Sequence, residues 1–455
     1  MALELSFFGG AGTVTGSKYL LQGNGGRLLV DCGLFQGYKA LRLRNWDAPP
    51  FKPAGISAVI LTHAHLDHSG YLPLLVKKGF RGPIFCTEAT ADLCGILLPD
   101  SGHLQEQDAE YANRHRFSKH NPAFPLYTEA DARRALTQLR PVEFGADTGL
   151  ACGARLRFVR AGHILGAASA IVTWESKKVA FSGDIGRYND PLMLDPEPIG
   201  PADYLLMEST YGDRLHDRAD PGDVLSNIIG KTIHRGGTVI VPAFAVGRAQ
   251  SLLYHIARLK EAGRLPRLLP VFLDSPMAID ATDIFRRHPK DQRLGPSELR
   301  LVGGDIHYVR TAEESKALTA NRMAKIIVSA SGMATGGRVL HHLAHYASDP
   351  RNSVLFAGFQ AGGTRGDAMV RGASSIKIHG TYIPVRADVH NLSMLSAHAD
   401  REELLRWAQG FGKAPRSAFI VHGEPAGADG LRHALEERLN WNCVVPDHGQ
   451  KVVLS

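Results

Sequence analysis

The stretch Thr62-His63-Ala64-His65-Leu66-Asp67-His68-Ser69-Gly70 carries four metal-ligand side chains within six residues. It follows directly on a run of four apolar residues, which predicts a buried strand. His63 and His65, two residues apart in an extended turn, can point at one ion. Asp67 and His68, at the start of a following helix, can point at a neighbouring ion. The spacing therefore predicts a two-metal site at the end of this strand.

Four side chains cannot complete two coordination spheres, so further ligands must come from other strand ends. His163, Asp184 and His422 are the candidates. Each follows an apolar run that predicts a strand, and each lies beside a glycine, where the backbone can approach a site closely.

The composition is that of a folded globular protein. The chain has 455 residues, 44% hydrophobic and 21% charged, which excludes a fully disordered or fibrous protein. A formal net charge of +7 mildly favours polyanionic partners. The five cysteines show no Cys-x-x-Cys spacing, which argues against a disulfide framework or a cysteine zinc site. No signal peptide and no long apolar run is evident, so we expect a cytoplasmic protein without a membrane segment.

The pattern of predicted strands and helices changes twice along the chain. Short strands with glycine-rich turns run to about residue 207, including a hairpin of Ala168–Trp174 with Val179–Ser182 and one helix near 90–116. Strand and helix then alternate strictly, which is typical of a mostly parallel sheet covered on both faces. Short strands like those of the first part are predicted again after about residue 380. We therefore predict a first domain over 1–207, an inserted α/β domain over 208–380 and completion of the first domain over 381–455.

These motifs together resemble the metallo-β-lactamase superfamily over nearly the whole length. Three of them resemble the marker motifs of the β-CASP nucleases: Glu208 in Met207-Glu208-Ser209-Thr210-Tyr211-Gly212, His398 in Leu395-Ser396-Ala397-His398-Ala399-Asp400, and His422. The resemblance implies an α/β fold, a metallo-β-lactamase αββα sandwich with an inserted doubly wound β-CASP α/β domain.

The resemblance also implies roles for the ligands. One zinc ion would be held by His63, His65 and His163, and a second by Asp67, His68 and His422. Asp184 would bridge the two Zn²⁺ ions of the chain. Asp31, which follows an apolar strand, corresponds to a carboxylate that orients the histidine loop.

By the same resemblance the activity is that of a zinc-dependent ribonuclease. A histidine at position 422 is typical of the RNA-processing branch of β-CASP proteins. The stretches at 242–248 and 329–333 are similar to those of bacterial and archaeal relatives of the pre-mRNA 3′-end processing endonuclease. A hydroxide bridging the metals would hydrolyse the phosphodiester and leave 5′-phosphate and 3′-hydroxyl ends. Asp67, Glu208 and His398 would be catalytic, with His398 as general acid and Glu208 as the carboxylate that orients it.

Single-stranded RNA is the expected partner. Glycine-rich turns that open helices suit phosphate groups, so the predicted phosphate-binding residues follow strands of the inserted domain. They are Arg248, Ser329, Ser331, Gly332, Gly336, Thr364 and Arg365. The helix with His341, His342 and His345 is interpreted as a packed helix and is assigned no metal.

Two other functions stay open: a hydrolase of a small ester or thioester that uses the same metals, and a non-catalytic scaffold in RNA processing. The sequence leaves endonuclease against exonuclease preference undecided. Oligomeric state is equally open, with a homodimer among the alternatives.

Overall fold

A computed structural model describes residues 2–116 and 118–455. The chain forms two compact units, which we call unit 1 (Met1–Leu215 with His398–Ser455) and unit 2 (His216–Ala397). Among the described residues, no helix is both long enough and apolar enough to cross a membrane.

The strands are short, and most have three to seven residues. The first eleven are β1 (Leu3–Gly9), β2 (Lys18–Gly23), β3 (Gly26–Val30), β4 (Ala58–Ile60), β5 (Ile84–Cys86), β6 (Leu139–Pro141), β7 (Thr148–Gly149), β8 (Arg155–Arg160), β9 (Ala168–Trp174), β10 (Lys177–Phe181) and β11 (Tyr204–Glu208). The others are β12 (Val239–Pro242), β13 (Val271–Leu273), β14 (His307–Tyr308), β15 (Ile326–Ser329), β16 (Ser353–Phe356), β17 (Ser375–Ile378), β18 (Thr381–Pro384), β19 (Asp388–Asn391), β20 (Ser417–Val421), β21 (Cys443–Val444) and β22 (Lys451–Leu454).

The helices vary more in length. They are α1 (Lys39–Leu43), α2 (Leu66–Ser69), α3 (Leu72–Lys77), α4 (Glu88–His115), α5 (Glu129–Leu136), α6 (Pro221–His234), α7 (Arg248–Glu261), α8 (Pro276–Arg287), α9 (Pro296–Leu299), α10 (Ala312–Ala320), α11 (Val339–Tyr346), α12 (Arg365–Val370), α13 (Arg401–Gln409) and α14 (Pro425–Leu439).

Unit 1 contains two seven-stranded sheets, with strand orders β22-β1-β2-β3-β4-β5-β6 and β21-β20-β11-β10-β9-β8-β7. One apolar core includes Phe7 and Leu28 from the first sheet and Phe158 and Trp174 from the second, so the sheets pack face to face. A second core joins the other face of the second sheet to α13 and α14. Helix α4 contacts β6 of the first sheet. The order of layers is helix, sheet, sheet, helix.

Several strands within each sheet of unit 1 point the same way, so the loops that follow them lie at one edge of that sheet. In the second sheet β8 and β10 both pair antiparallel with β9, and β10, β11 and β20 are mutually parallel. The carboxyl ends of β8, β10, β11 and β20 therefore lie at the same edge of that sheet. In the first sheet β3 and β4 are parallel, so their carboxyl ends also share an edge.

Unit 2 is built on a six-stranded sheet of order β14-β13-β15-β12-β16-β19, in which every pairing is parallel. Alternate side chains of β12 enter two different cores: Val239 and Val241 pack with α7 and α8, and Ile240 packs with α11. The sheet is thus buried on both faces, which explains why its strands read as continuous apolar runs. A two-stranded hairpin of β17 and β18 completes the unit.

Two local predictions, a hairpin and a helix, are confirmed. Strands β9 and β10 form the predicted antiparallel hairpin, and the helix predicted near 90–116 is α4. Asp400 caps α13, because its side chain accepts the Glu403 N–H while the Glu403 side chain accepts the Asp400 N–H.

The domain boundaries differ from those expected. The inserted domain was predicted over 208–380, whereas unit 2 spans His216–Ala397. At the start, β11 ends at Glu208 inside the second sheet of unit 1. At the end, β19 pairs with β16 and therefore belongs to the sheet of unit 2. Strand β11 was not predicted: all five of its residues are buried, and periodicity alone does not distinguish such a short apolar run from a buried helical segment.

Candidate metal centre

The predicted ligands come together in unit 1 because they follow strands that end at shared edges. His63 follows β4, His163 follows β8, Asp184 follows β10 and His422 directly follows β20. Asp67 and His68 lie in the first turn of α2 and add their side chains from the loop after β4.

One group of ligand atoms is formed by His63, His65, His163 and Asp184, whose ligand atoms all lie within 4.8 Å of one another. Oδ2 of Asp184 lies 3.4 Å from Nε2 of His63 and 3.6 Å from Nε2 of His163. Nδ1 of His65 lies 3.2 Å from Nε2 of His163. Three imidazoles and one carboxylate at these separations suit a tetrahedral metal ion.

A second group contains Asp67, His68 and His422, again within 4.8 Å. The Nε2 atoms of His68 and His422 lie 3.1 Å apart, and Oδ2 of Asp67 lies 3.4 Å from Nε2 of His422. Each of these two groups contains the three residues that the resemblance assigned to one metal ion.

Asp184 touches both groups. While its Oδ2 faces the first group, its Oδ1 lies 3.2 Å from Nε2 of His68 and 3.5 Å from Nδ1 of His422. A carboxylate whose two oxygens face two separate imidazole groups has the geometry of a bridging ligand.

The burial of these atoms supports a bound cation. Nε2 of His63 and Oδ1 of Asp184 are buried and make no hydrogen bond within the described residues. Buried polar atoms nearly always have a partner. A bound metal ion would supply the partner of these two atoms. The donor set of imidazole and carboxylate therefore fits two metal ions.

Burial and mutual proximity set the protonation of the cluster. Burial lowers the pKa of His63 well below its ordinary value, with His68 contributing, and lowers that of His65 to about 4. Burial opposes ionisation of Asp184, but the imidazoles of His422, His68 and His63 outweigh it and hold the pKa of that carboxyl well below its usual range. The ionised carboxylate and the neutral imidazoles of His63 and His65 are forms that bind metal. His68 differs, because burial disfavours its charged form but Asp184 and Asp31 outweigh that effect and raise its pKa well above the ordinary value, so a metal ion would have to displace its proton.

Asp31 connects the ligand loop to the sheet. Its Oδ2 lies 2.7 Å from Nδ1 of His68 and accepts the Thr62 hydroxyl at 2.9 Å, while its Oδ1 accepts the Thr62 N–H at 2.8 Å. The backbone of Asp31 lies in the left-handed region, with φ 57°, a conformation that is uncommon for a residue other than glycine. The carboxylate thereby fixes the ring of His68 and leaves Nε2 for the centre.

Glu208 and His398 form a pair beside the ligands. Nδ1 of His398 lies 3.1 Å from Oε1 and 3.3 Å from Oε2 of Glu208, and Nε2 lies 4.0 Å from Oδ2 of Asp184. Burial disfavours a charged His398, but the carboxylate of Glu208, aided by Asp184, raises its pKa above the ordinary value. The imidazole can therefore hold a proton next to the centre.

Two threonines that no sequence motif singled out also orient this site. Oγ1 of Thr62 lies 3.1 Å from Nδ1 of His63, and Oγ1 of Thr210 lies 3.2 Å from Nδ1 of His422. Only their positions in the sequence could have indicated this role: Thr62 directly precedes His63, and Thr210 lies in the motif that carries Glu208.

The predicted phosphate-binding residues all lie in unit 2, at the carboxyl ends of its strands. Ser329 donates its hydroxyl to the Asp274 carbonyl at 2.9 Å, and Thr364 caps α12 by accepting the Asp367 N–H at 3.1 Å. Arg248 donates to the Leu395 carbonyl.

The remaining members surround one turn. The Ser331 hydroxyl accepts the backbone N–H of Thr335 at 3.0 Å and that of Gly336 at 3.4 Å. Arg365 donates to the carbonyls of Ala334 and Thr335, and Gly332 packs on Phe244 so closely that a Cβ would lie 2.6 Å from its ring. These contacts give the residues structural roles, and their contact with phosphate stays a prediction.

His342 is a packed residue, as interpreted from the sequence. It is fully buried, and its Nε2 lies 2.7 Å from Oδ2 of Asp274.

Comparisons with known proteins agree with this geometry. The metallo-β-lactamase superfamily model matches residues 11–226, the β-CASP domain model matches 249–369, and a model described as a Zn-dependent metallo-hydrolase RNA specificity domain matches 382–446. The chain is 39% identical to ribonuclease TTHA0252 of Thermus thermophilus over 428 residues, which cover 92% of each chain. The chain belongs to the β-CASP family of the metallo-β-lactamase superfamily.

Other β-CASP relatives are archaeal. An RNase J-like protein of Methanocaldococcus jannaschii is 32% identical, over 98% of each chain. The transcription termination factor FttA of the same organism is 30% identical, over 93% of this chain and 67% of its own length. A solved structure of a protein of unknown function from Enterococcus faecalis aligns over the full length of both chains with a TM-score of 0.54 and 13% identity, which supports the fold alone. The predicted fold class, a metallo-β-lactamase fold with an inserted β-CASP domain, is confirmed.

Proposed function

We propose that this β-CASP protein is a zinc-dependent ribonuclease that hydrolyses single-stranded RNA and leaves 5′-phosphate and 3′-hydroxyl ends. Membership of the family and relatives named as a ribonuclease and as an RNase J-like protein support an RNA substrate. The two ligand groups support a hydrolytic metal centre.

The observation that carries the proposal is the position of Asp184 between the two groups, one oxygen toward each. We assign one zinc ion to His63, His65 and His163, a second to Asp67, His68 and His422, and the bridging position to Asp184. Two zinc ions bound there would supply an activated water near neutral pH and neutralise charge on the scissile phosphate. A small-ester hydrolase could use the same ligands, but it has no evident need for the Glu208–His398 pair.

His398 and Glu208 would handle the leaving group. Water adds to phosphorus, the bond between phosphorus and the 3′ oxygen breaks, and that oxygen needs a proton. Nδ1 of His398 faces Glu208, which leaves Nε2 to donate the proton toward the centre. The new phosphate then stays on the 5′ end of one fragment, and the other fragment ends in a 3′-hydroxyl.

Metal content and product ends test this function. Purified protein should hold about two zinc ions per chain and lose hydrolysis after thorough chelation. Internally and end-labelled single-stranded RNA should yield 5′-phosphate products, and RNA binding should weaken with salt at a log-log slope of about −0.7 per phosphate neutralised. Full activity of the metal-free protein, or duplex DNA cut as fast as RNA, would contradict the proposal. Metal-loaded protein that binds RNA without cutting it would indicate the scaffold alternative.

A further inference from the structure

A loop of unit 1 presents aromatic and basic side chains to solvent. We call residues 35–46 the α1 loop; it reads Phe35-Gln36-Gly37-Tyr38-Lys39-Ala40-Leu41-Arg42-Leu43-Arg44-Asn45-Trp46. Three basic residues alternate with apolar ones, and the loop contains no acidic residue. Tyr38, Leu43 and Trp46 are 50%, 54% and 57% exposed, although side chains of these types are usually buried.

The α1 loop is built to keep this form. The buried side chain of Asn45 bonds the backbone of Phe35 in both directions: its Oδ1 accepts the N–H at 2.9 Å and its Nδ2 donates to the carbonyl at 2.8 Å. The loop is thus closed at its base by one side chain. Helix α1 within it buries no residue, so its apolar side chains do not serve a core.

The base of the loop is attached to the metal-ligand segment. The Cys32 N–H donates to the His68 carbonyl at 2.7 Å, and the Leu34 N–H donates to the Leu66 carbonyl at 2.8 Å. Between them, a Cβ on Gly33 would lie 1.6 Å from the Asp67 carbonyl oxygen, so only glycine allows this approach. The α1 loop therefore begins beside the backbone that carries Asp67 and His68.

We propose that the α1 loop is a binding surface for single-stranded RNA, on which bases stack against Trp46 and Tyr38 while Lys39 and Arg42 contact phosphates. Exposed aromatic side chains interleaved with basic ones are the usual means of binding a single strand without sequence preference. The base of the loop contacts the segment that carries Asp67 and His68, so a strand bound to the loop would lie in the same part of unit 1 as these ligands. This inference rests on the proposed ribonuclease function and names how its substrate is held.

The charge of the loop favours RNA over a second copy of the chain. A symmetric contact between two α1 loops would gain from Leu43 and Trp46, but it would place Lys39, Arg42 and Arg44 of one chain near those of the other. A polyanion uses both the aromatic and the basic side chains.

Tryptophan fluorescence gives a direct test. The chain has four tryptophans, and Trp174, Trp407 and Trp441 are 3%, 2% and 7% exposed, so quenching by acrylamide reports mainly on Trp46. Metal-loaded protein is mixed with an oligouridylate of about 12 nucleotides whose phosphorothioate linkages resist hydrolysis. We expect the oligonucleotide to protect the fluorescence from acrylamide, and the protected signal to disappear in Trp46→Phe.

Matched variants separate stacking from apolar contact. Trp46→Tyr keeps an aromatic face and should bind within a few-fold of wild type, whereas Trp46→Leu and the double variant Tyr38→Ala/Trp46→Ala should lose roughly 10-fold or more in affinity. Phe124→Ala, which removes a side chain of unit 1 that is 68% exposed, is the control and should bind as wild type does. Hydrolysis of bis(4-nitrophenyl) phosphate should be unchanged in every variant, which shows that the metal centre is intact.

The outcomes are distinct. If wild type cuts and binds RNA and the α1 loop variants do so equally well, the loop proposal is wrong and the ribonuclease function stands. If wild type neither binds nor cuts RNA, the proposed function fails and the inference with it. If Trp46→Leu binds RNA as well as Trp46→Tyr while the double variant converts a dimer to a monomer by light scattering, the loop is an interface between copies and the RNA proposal is overturned.

Discussion

Nδ1 of His398 lies 3.1 Å from Oε1 of Glu208, and that same oxygen accepts the backbone N–H of Ile185, the residue after Asp184, at 2.7 Å. The other oxygen of Glu208 accepts the Thr210 N–H at 3.2 Å. One carboxylate at the end of β11 thus fixes both the imidazole and the backbone next to the bridging ligand. Glu208 is fully buried and His398 is partly buried. His398 lies outside the two ligand groups described above, which is the arrangement required of a proton donor that does not bind metal.

The first prediction separates His398 from His422. His398→Ala should keep about two zinc ions and RNA binding while losing roughly 10²-fold or more in turnover, because only protonation of the leaving oxygen is removed. His422→Ala should lower metal occupancy instead, because it removes one of three ligands of the second group. Elemental analysis and initial rates on RNA measure both effects.

An activated substrate sharpens this comparison. Bis(4-nitrophenyl) phosphate has a leaving group that needs little protonation, so it should partly restore His398→Ala and not His422→Ala. Loss of zinc from His398→Ala together with two retained ions in His422→Ala would require the two roles to be exchanged or abandoned.

The second prediction concerns the coupling of Glu208 to His398. Glu208→Gln should reduce turnover by roughly 10-fold or more with zinc retained, because an amide orients the imidazole but does not stabilise its charged form. In the double variant Glu208→Gln/His398→Ala the losses should not add, since Glu208 acts through His398. Turnover of the four proteins under saturating RNA gives the coupling. Additive losses would mean that Glu208 acts independently of His398.

Local sequence pattern sufficed to select the candidate ligands, because the histidine cluster, His163, Asp184 and His422 each follow an apolar run, and strands that point the same way bring their ends to one edge. Their division into two groups came from the family resemblance. Local pattern did not suffice for Glu208 and Asp31. Glu208 follows a buried apolar run as the ligands do, but the sequence around it does not indicate which side chain it contacts, and a lone aspartate after a strand is more often a turn residue. Both were identified only through the family resemblance, because what defines them is a partner far along the chain: His398 for one and His68 for the other.

The extent of the inserted domain could not be read from the sequence for a related reason. Strand β19 has the composition of an exposed short strand, and its place is decided by pairing with β16. The exposure of the Trp46 side chain could not be predicted from the sequence either, because an aromatic residue in a segment of mixed polarity is as consistent with burial as with exposure.

The third prediction tests Asp31. Asp31→Asn should weaken zinc affinity by about 10- to 100-fold, because the amide nitrogen cannot accept from Nδ1 of His68 and the ring loses its fixed orientation. Competition with a chromogenic chelator measures the affinity. Asp147→Asn, which alters only an exposed pair with Arg157 at 3.8 Å, is the control and should leave the affinity unchanged. Equal zinc affinity in Asp31→Asn and wild type would remove Asp31 from the metal centre.

The last prediction concerns the core of unit 2, where Asp274 is fully buried. Its carboxylate bonds Arg338 at 2.7 Å and His342 at 2.7 Å and also accepts the Ser315 hydroxyl at 2.5 Å. Burial opposes its ionisation, but the hydrogen bonds from His342, Ser315 and Arg338 outweigh it and lower its pKa below the ordinary value. Removing one partner of such a buried network leaves the others without compensation.

Asp274→Asn should therefore destabilise unit 2 by about 3 kcal/mol. Asp305→Asn, which removes an exposed partner of Lys260, should cost less than about 1 kcal/mol. Hydrogen exchange of the amides in β13 and α11 measures the stability of unit 2 apart from that of unit 1.

The same carboxylate makes the stability of unit 2 depend on pH. Because the pKa of Asp274 is lower in the folded protein than in the unfolded chain, its contribution to the free energy of unfolding is complete above the unfolded pKa of about 4 and is lost as the pH falls further. The difference between wild type and Asp274→Asn should thus stay constant from about pH 7 to about pH 5 and shrink below about pH 4. A difference that instead grew on acidification would mean that the ionised carboxylate does not stabilise the fold.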